Sequence, residues 1–210
     1  MSGLFITFEG GDGSGKSTQI RLLAERLRSL GYEVRTFREP GGVKGGDAGE
    51  RIREILLDPV HTELGVRAEL LLYEASRAQL VAAHYRPAIE AGAIVLGDRY
   101  ADSSTAYQGY GRAVLSVDEV RELNRIATGG LTPDLTLLLD IDAAAGLATA
   151  TVAGADRLEL AGLDFHERVR AGYLAAAEPQ RVRIVPRGTV DEVASAIWSH
   201  VERLLARVTS

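Results

Sequence analysis

The sequence predicts an α/β protein in which a five-stranded parallel sheet is flanked by helices. Five short apolar runs alternate along the 210 residues with stretches of helical periodicity. Strands that alternate with helices pair in parallel through right-handed crossovers. The first apolar run leads into a glycine-rich loop and then a helix, an order typical of phosphate-binding sites. Because the chain shows no internal repeat and no low-complexity segment, we expect residues 1–210 to form a single domain.

Each element follows from a short sequence signal. Strands are predicted at the apolar runs 4–8, 34–37, 93–96, 135–139 and 182–185. Helices are predicted after the glycine loop, over residues 64–83, after Pro87, and after two capping boxes at 116–119 and 189–192. The glycine-rich stretch 41–49 predicts a mobile loop. Residues 143–155 carry almost only small side chains, which pack weakly, so they predict a moving lid.

Composition and charge narrow the class of protein. Hydrophobic residues make up 46% of the chain and charged residues 25%, which is typical of soluble globular proteins. The net charge of −5 argues against a general nucleic-acid binder. No apolar run approaches the roughly 20 residues that span a bilayer. Because cysteine is absent, disulfides, thiol catalysis and zinc-thiolate sites are excluded, and we expect a cytoplasmic enzyme.

The clearest motif is a phosphate-binding loop. Residues 10–17 fit the pattern G-x-x-x-x-G-K-[ST] and lie between a predicted strand and a predicted helix. Glycines leave the backbone N–H groups free to surround a phosphate, and the helix N-terminus adds partial positive charge. Lys16 is expected to reach the outer phosphates of a nucleoside triphosphate, and Ser17 to bind Mg²⁺. The predicted nucleotide-binding residues are Gly10, Gly11, Asp12, Gly13, Ser14, Gly15, Lys16, Ser17 and Thr18.

Charged residues follow the ends of two other predicted strands. Arg38 follows the second strand, and Asp98 and Arg99 follow the third. Because ligands bind beyond the carboxyl ends of parallel strands, the two arginines are predicted to meet a second anionic group opposite the triphosphate. Either arginine alone would also suit a surface ion pair. Asp98 can cap a helix, although its position beside the loop favours a Mg²⁺ ligand.

Two further groups of side chains suit a flat, hydrogen-bonding base. Tyr73 and Arg77 are four residues apart and share one helix face, which places a ring beside a guanidinium. Spacing alone also fits a core tyrosine beside a solvated arginine. After the third strand, Ser104, Tyr107 and Gln108 offer a hydroxyl, a ring and an amide. These groups suit nucleoside recognition, and they equally suit an ordinary polar loop.

Taken in order, these motifs resemble the bacterial thymidylate kinases. The most specific match is residues 97–112, which begin Gly97-Asp98-Arg99-Tyr100. Further matches are residues 8–18, Arg38-Glu39-Pro40-Gly41-Gly42, Arg77-Ala78-Gln79, 133–142, 156–159 and 165–174. They cover nearly the whole chain in the order of the family. The resemblance implies the P-loop nucleoside monophosphate kinase fold and a homodimer.

The resemblance also implies an activity and a role for each site residue. It implies phosphoryl transfer from ATP, with Mg²⁺, to dTMP. Asp12 is then expected to contact the sugar 3′-hydroxyl, and Arg38 and Arg99 the acceptor phosphate. The remaining substrate contacts implied are Tyr73 stacking on the base, Ser104 beside it, Arg77 and Gln108 at its polar edge, and Tyr107 at the sugar 2′ side. Lys16, Arg38, Arg99 and Arg157 are the expected catalytic residues.

The chain departs from the family pattern in its lid. Positions 11–14 contain no arginine, which is typical of the class that carries its extra arginine in the lid, here residues 143–160. Yet residues 143–156 contain neither lysine nor arginine, and Thr149 stands where the family usually has arginine. Val43 and Tyr73 replace a usual threonine and phenylalanine. An arginine on the transferring group can contribute about 10³ or more in rate. Either Arg157 takes this role when the lid closes, which we expect, or turnover is slow.

Two alternatives stay open. The chain can be a kinase for another deoxynucleoside monophosphate, such as a 5-modified dUMP. The lid without arginine also fits a catalytically weak nucleotide-binding homologue. Against the second alternative, Lys16, Ser17 and Asp98 are retained, which a pure binding module would not need.

Overall fold

The structure, a computed structural model, describes residues 3–42, 47–113, 115–150 and 157–209. Within these ranges five strands form one parallel sheet: β1 (Leu4–Glu9), β2 (Val34–Arg38), β3 (Ile94–Asp98), β4 (Leu135–Leu139) and β5 (Val182–Val185). Their order across the sheet is β2-β3-β1-β4-β5. The predicted fold class is therefore confirmed, and each strand coincides with one of the apolar runs.

Helices connect successive strands, and a last helix follows β5. They are α1 (Lys16–Ser29), α2 (Ala48–Leu57), α3 (Val66–Leu80), α4 (Arg86–Glu90), α5 (Ala101–Ser104), α6 (Val117–Thr128), α7 (Ala143–Ala150), α8 (Leu163–Ala176) and α9 (Val190–Thr209). A π-helical segment, Val81–Tyr85, joins α3 to α4, and another, Thr105–Gly111, extends α5. No described helix is both long and apolar enough to cross a membrane.

Both predicted capping boxes are present. The Ser116 hydroxyl accepts from the Glu119 N–H at 3.3 Å, and the Glu119 carboxylate accepts from the Ser116 N–H at 2.8 Å. Thr189 and Glu192 exchange the same pair of bonds before α9, at 3.3 and 2.8 Å. Each box satisfies backbone N–H groups that the first helical turn cannot pair, so these helices begin where the sequence predicts.

Helix α2 differs from the prediction. The glycine-rich stretch 41–49 predicts a mobile loop, yet the helix begins at Ala48 and includes Gly49. The physical reason is an N-cap, because the Asp47 carboxylate accepts from the Glu50 N–H at 3.0 Å. Residues 43–46, including Val43, lie outside the described residues. So do residues 151–156, which form the middle of the predicted lid, while α7 occupies its beginning.

The sheet buries apolar side chains on both faces, as expected for parallel strands covered by helices. Ile6, Phe8 and Leu137 pack on one face with α1 and α9. On the opposite face, Phe5 and Val95 pack with aromatic rings that include Tyr85 and Tyr100. The register pairs Arg38 with Asp98 and Phe8 with Asp98, so β1, β2 and β3 end level with one another. Residues that follow these strands are therefore brought together.

Replacing Leu137 with alanine tests this packing. Leu137 is fully buried at the centre of β4, so the variant should lose about 2–5 kcal/mol of unfolding free energy through lost contacts and a cavity. Urea denaturation measures the change. Leu174→Ala on α8 is the control, because Leu174 is 40% exposed and its loss should cost less than about 1 kcal/mol. Equal losses in the two variants would contradict the assignment of Leu137 to the core.

Candidate active site

A cleft of about 440 Å³ opens at the carboxyl ends of β1, β2 and β3. Most of the predicted site residues line it, although they come from separate parts of the sequence. They are Asp12, Gly13, Ser14, Gly15, Lys16, Ser17, Thr18, Arg38, Tyr73, Asp98, Arg99, Ser104, Tyr107 and Gln108. Four predicted residues do not line the cleft, namely Gly10, Gly11, Arg77 and Arg157. The structure therefore brings both predicted halves of the site into one cleft.

The phosphate-binding loop forms one wall of the cleft. Gly10 has a φ of +132°, and a Cβ there would collide with the carbonyl oxygen of Leu139, so glycine is required. The Lys16 ammonium donates to the Gly10 and Gly11 carbonyls at 3.0 and 2.8 Å. Burial, aided by the nearby Arg99 charge, lowers the pKa of Lys16 to about 8. A phosphate oxygen beside this ammonium would favour its charged form.

Ser17 and Asp98 form the candidate metal site. Ser17 is in the first turn of α1 and Asp98 is the last residue of β3, and the Ser17 hydroxyl donates to the Asp98 carboxylate at 2.9 Å. Among the described residues, no cluster of three histidine, cysteine or acidic side chains is placed to hold a metal. One hydroxyl and one carboxylate suit Mg²⁺, which typically binds few protein oxygens and takes its other ligands from phosphates and water.

Arg99 joins the phosphate-binding loop to the opposite wall. Its φ of +72° is uncommon for a residue other than glycine, and its N–H donates to the Phe8 carbonyl at 2.9 Å. The guanidinium donates to the Gly10 carbonyl at 3.0 Å and forms an ion pair with Asp12. The Tyr107 hydroxyl donates to the same carboxylate at 2.7 Å. Burial opposes ionisation of Asp12, but the Arg99 and Lys16 charges prevail and lower its pKa to about 2.

Glu9 is linked to Arg99 through the side chains of Ser103 and Tyr173. Its buried carboxylate accepts from the Tyr100 N–H and the Ser103 hydroxyl, both at 2.7 Å, and from the Tyr173 hydroxyl at 3.1 Å. Ser103 and Tyr173 in turn contact the Arg99 guanidinium at 3.3 and 3.1 Å. Burial and the nearby Asp102 charge raise the pKa of Glu9 to about 7.

A second group of cations comes from β2 and α2. Arg38 pairs with Glu50 of α2 and stays 44% exposed. Arg53, also on α2, lines the cleft and donates to the Pro40 carbonyl at 2.8 Å. The Glu39–Pro40 peptide bond between them is cis. Arg53 was not among the predicted site residues, because the loop predicted over residues 41–49 left no helix in this region to carry it, although Asp47 three residues before Glu50 is a helix-start signal.

Arg77 lies behind Ser104, outside the lining of the cleft. It is buried and donates to Glu39 at 2.8 Å, to Glu74 and Asn124 at 2.7 Å, and to the Tyr100 carbonyl at 3.0 Å. It also donates to the hydroxyl of Ser104, a cleft residue, at 3.0 Å. Arg77 is therefore not the solvated arginine that spacing alone allowed.

Arg157 lies against α2 and α3 and does not line the cleft. Its guanidinium is 2.7 Å from the carboxylate of Glu69, which is fully buried in α3, and its Nε donates to the Leu56 carbonyl at 2.9 Å. The carboxylate of Glu69 also accepts from the Gln108 amide at 3.1 Å. The described structure thus places Arg157 against Glu69, which in turn contacts the cleft residue Gln108.

Comparison with known proteins agrees with this architecture. The family profile described as thymidylate kinase matches residues 8–197. Thymidylate kinase from Deinococcus radiodurans is 52% identical over 203 residues, which cover 95% of this chain and 96% of that protein. One from Synechococcus sp. (strain JA-2-3B'a(2-13)) is 50% identical, covering 99% and 98%. The crystal structure of thymidylate kinase from Ehrlichia chaffeensis superimposes with a TM-score of 0.78 at 30% identity, covering 96% and 99%. The chain belongs to the thymidylate kinase family.

In this thymidylate kinase family member, helix α7 packs directly on the phosphate-binding loop. A Cβ on Gly13 would collide with the Gly146 carbonyl, and a Cβ on Gly146 would meet the Asp12 carbonyl. The two glycines let the backbones of loop and helix touch. Thr149, one turn further along α7, lines the cleft as a result. Its side chain carries no charge, and α7 as described (Ala143–Ala150) contains no lysine or arginine, so it adds no cation beside the phosphate-binding loop.

The raised pKa of Glu9 predicts a pH dependence of stability. A folded-state pKa above the unfolded value of 4.5 means that Glu9 contributes stability below pH 4.5 and loses it as the pH rises through about 7. Glu9→Gln removes this titration. The unfolding free energy of the variant, relative to wild type, should therefore rise by about 2–3 kcal/mol between pH 5 and pH 8. Urea unfolding at both pH values measures this difference. If the unfolding free energies of the two proteins change equally between pH 5 and pH 8, the pKa of Glu9 is not raised in the folded protein.

Proposed function

We propose that this chain transfers the γ-phosphoryl group of ATP to dTMP, giving dTDP and ADP. The observation that carries the proposal is the single cleft that has a phosphate-binding loop at one end and Tyr73, Ser104 and Gln108 at the other. Arg99 lies between the two ends. A cleft of this kind holds a triphosphate and a nucleotide acceptor facing each other. Membership of the thymidylate kinase family supports dTMP as the acceptor.

The donor end is assigned to ATP with Mg²⁺. Residues 10–18 would surround the triphosphate, with Lys16 at its outer phosphates. Ser17 and Asp98 would hold Mg²⁺, which supplies charge neutralisation between the phosphate groups when bound. Their hydroxyl and carboxylate oxygens are the ligand types that this cation prefers.

The acceptor end is assigned to dTMP residue by residue. Arg38 and Arg99 would bind the acceptor phosphate, and Asp12, held by Arg99 and Tyr107, would accept from the sugar 3′-hydroxyl. Tyr107 would exclude a 2′-hydroxyl. The base would stack on Tyr73, with Ser104 and Gln108 at its edge and Arg77 acting from behind Ser104. We add Arg53 to the phosphate-binding group because its side chain lines the cleft beside Pro40.

This phosphoryl transfer requires positive charge around the two phosphate groups more than it requires a strong general base. A phosphate monoester has its second pKa near 6, so the attacking oxygen is already largely anionic at neutral pH. The obstacle is the repulsion between this oxygen and the triphosphate. Lys16, Arg38 and Arg99 offset it from fixed positions, since carbonyls or carboxylates of the protein already hold each of them.

The lid assignment follows from its composition. We propose that residues 143–160 form a lid of the arginine-in-lid class in which Arg157 replaces the usual lid arginine. To reach the phosphates, Arg157 would have to exchange its contact with Glu69 for the transferring group. That exchange would accompany lid closure, and its cost would slow turnover relative to a lid with an arginine near Thr149.

We further propose a cytoplasmic homodimer. Helix α3 exposes Ala68, Leu71 and Ala75, which lie at helical spacing and form an apolar stripe. On α6, which contacts α3, Ile126 is 62% exposed. An exposed apolar face of this kind suits burial against a second copy of the chain.

A panel of acceptors tests the proposed reaction. ADP release from MgATP should be fastest with dTMP and at least about tenfold slower with dUMP, dCMP, dGMP and UMP, because loss of the 5-methyl group, a different base or an added 2′-hydroxyl each changes selectivity by about this factor or more. A different preferred acceptor would support a kinase for another deoxynucleoside monophosphate. Tight ATP binding with no turnover on any acceptor would support the binding homologue and reject the proposal.

Replacing Arg157 with alanine tests the lid assignment. If Arg157 reaches the transferring phosphoryl group, kcat should fall by about 10³-fold while the Kd for ATP stays within about threefold. Arg112→Ala is the matched control, because Arg112 also pairs with Glu69, at 3.2 Å, but is not assigned to the phosphates. Its kcat should fall less than tenfold. Near-normal turnover of the Arg157 variant would show that Arg157 does not act on the transferring phosphoryl group.

A further inference from the structure

Glu69 is a buried carboxylate that lies behind Gln108, a residue of the cleft lining. It is fully buried in α3, and both of its oxygens accept hydrogen bonds. Oε1 accepts from the Gln108 amide nitrogen at 3.1 Å and from Arg112 Nε at 3.3 Å. Oε2 accepts from Arg112 Nη2 at 3.2 Å and lies 2.7 Å from Arg157 Nη2. With two guanidinium groups against it, this carboxylate acts only as an acceptor.

An acceptor of this kind determines which way the Gln108 amide points. The amide has a donor end, Nε2, and an acceptor end, Oε1, and only the donor end can face a carboxylate. Turning the amide over would put two buried acceptors against each other. Gln108 is buried and lines the cleft, and among the described residues its Oε1 has no hydrogen-bond donor. Glu69 therefore leaves the amide oxygen of Gln108 as the acceptor available to a ligand.

We propose that Glu69 is a positioning residue that determines base specificity. By holding the Gln108 amide in one orientation, it makes the cleft select a pyrimidine with an N–H at ring position 3 over one with a lone pair there. The proposal rests on the proposed function, since it requires that Gln108 face the acceptor base.

The orientation of the Gln108 amide distinguishes pyrimidines by the group at ring position 3. Thymine and uracil carry N3–H, which donates to an amide oxygen, whereas N3 of cytosine is an acceptor. To pair with cytosine, Gln108 would have to turn its nitrogen toward the base and its oxygen toward Glu69. A site built to hydrogen-bond one group rejects an analogue that leaves its buried polar groups unpaired. Glu69 thus acts on selectivity without touching the substrate.

The experiment compares dTMP with dCMP as acceptors for the purified enzyme. The measured quantity is the ratio of their kcat/KM values, in which donor binding and phosphoryl transfer largely cancel. In Glu69→Gln, residue 69 can both donate and accept, so the Gln108 amide can adopt either orientation. The ratio should fall by about 10–100-fold, the range expected for a hydrogen bond to a charged group.

Three further variants separate the possible causes. Arg157→Gln removes a guanidinium from the same carboxylate without touching the amide, so it should keep the ratio within about threefold. Gln108→Leu should lower the ratio on its own. In the Gln108→Leu background, Glu69→Gln should lower it no further, because the two residues act through one contact.

The outcomes distinguish this proposal from the proposed function. If Gln108→Leu lowers the ratio but a folded Glu69→Gln enzyme keeps it, the role of Glu69 is overturned while the base contact of Gln108 stands. If Gln108→Leu leaves the ratio unchanged, Gln108 does not face the base. The base contact assigned to Gln108 and the positioning role of Glu69 then both fail, whereas the acceptor panel still tests the reaction itself. A fall in ratio for Arg157→Gln equal to that for Glu69→Gln would also overturn the proposal, since general loosening would then explain both.

A folding failure leaves the proposal testable. Removing one member of a buried ion pair can destabilise a protein strongly, whereas removing both members together costs less. Should circular dichroism show that Glu69→Gln is unfolded, the double variant Glu69→Gln/Arg157→Gln is compared with Arg157→Gln alone. The same 10–100-fold fall in the ratio is expected between these two enzymes, and equal ratios would overturn the proposal.

Discussion

The contact between Arg99 and Asp12 is the interaction on which the rest of the site depends. It joins the residue after β3 to the phosphate-binding loop after β1, and Tyr107 closes the group from a third element. The strand register makes the contact possible, because β1 and β3 end level with each other. Arg99 also donates to the Gly10 carbonyl and thereby restrains the loop that would hold the triphosphate. One guanidinium therefore links the phosphate-binding loop to the opposite wall of the cleft.

Around this contact the protein buries charges in matched groups. Arg77 is surrounded by Glu39 and Glu74, and Glu69 by Arg112 and Arg157. Buried ion groups of this kind add little net stability, but they hold side chains in one geometry at a cost already met during folding. A site for two anions benefits from such an arrangement, because its dipoles and charges need not reorganise when the ligands arrive. The same feature gives Glu69 its influence on Gln108.

Much of the site could be predicted from the sequence because its signals are local. The glycine pattern before Lys16, and the charged residues directly after β2 and β3, need only a few neighbouring residues to be recognised. For Arg53 the local signal at Asp47 indicates a helix but not a place in the cleft, and Glu9 has no local signal of its role. Arg53 was hidden by the glycines before α2, and Glu9 acts through Ser103 and Tyr173, which lie 94 and 164 residues away. Contacts across such separations depend on the folded sheet.

Local sequence signals are sufficient for the five strands, the phosphate-binding loop and the capped helices α6 and α9, because apolar periodicity and capping chemistry act within a few residues. The sequence likewise shows that residues 143–156 contain neither lysine nor arginine. The folded structure alone reveals which carboxylate each arginine meets, that Arg157 lies beside Glu69, and which end of the Gln108 amide is left for a ligand. Glu69 and Gln108 are 39 residues apart on different helical segments, so their contact exists only once those segments pack together.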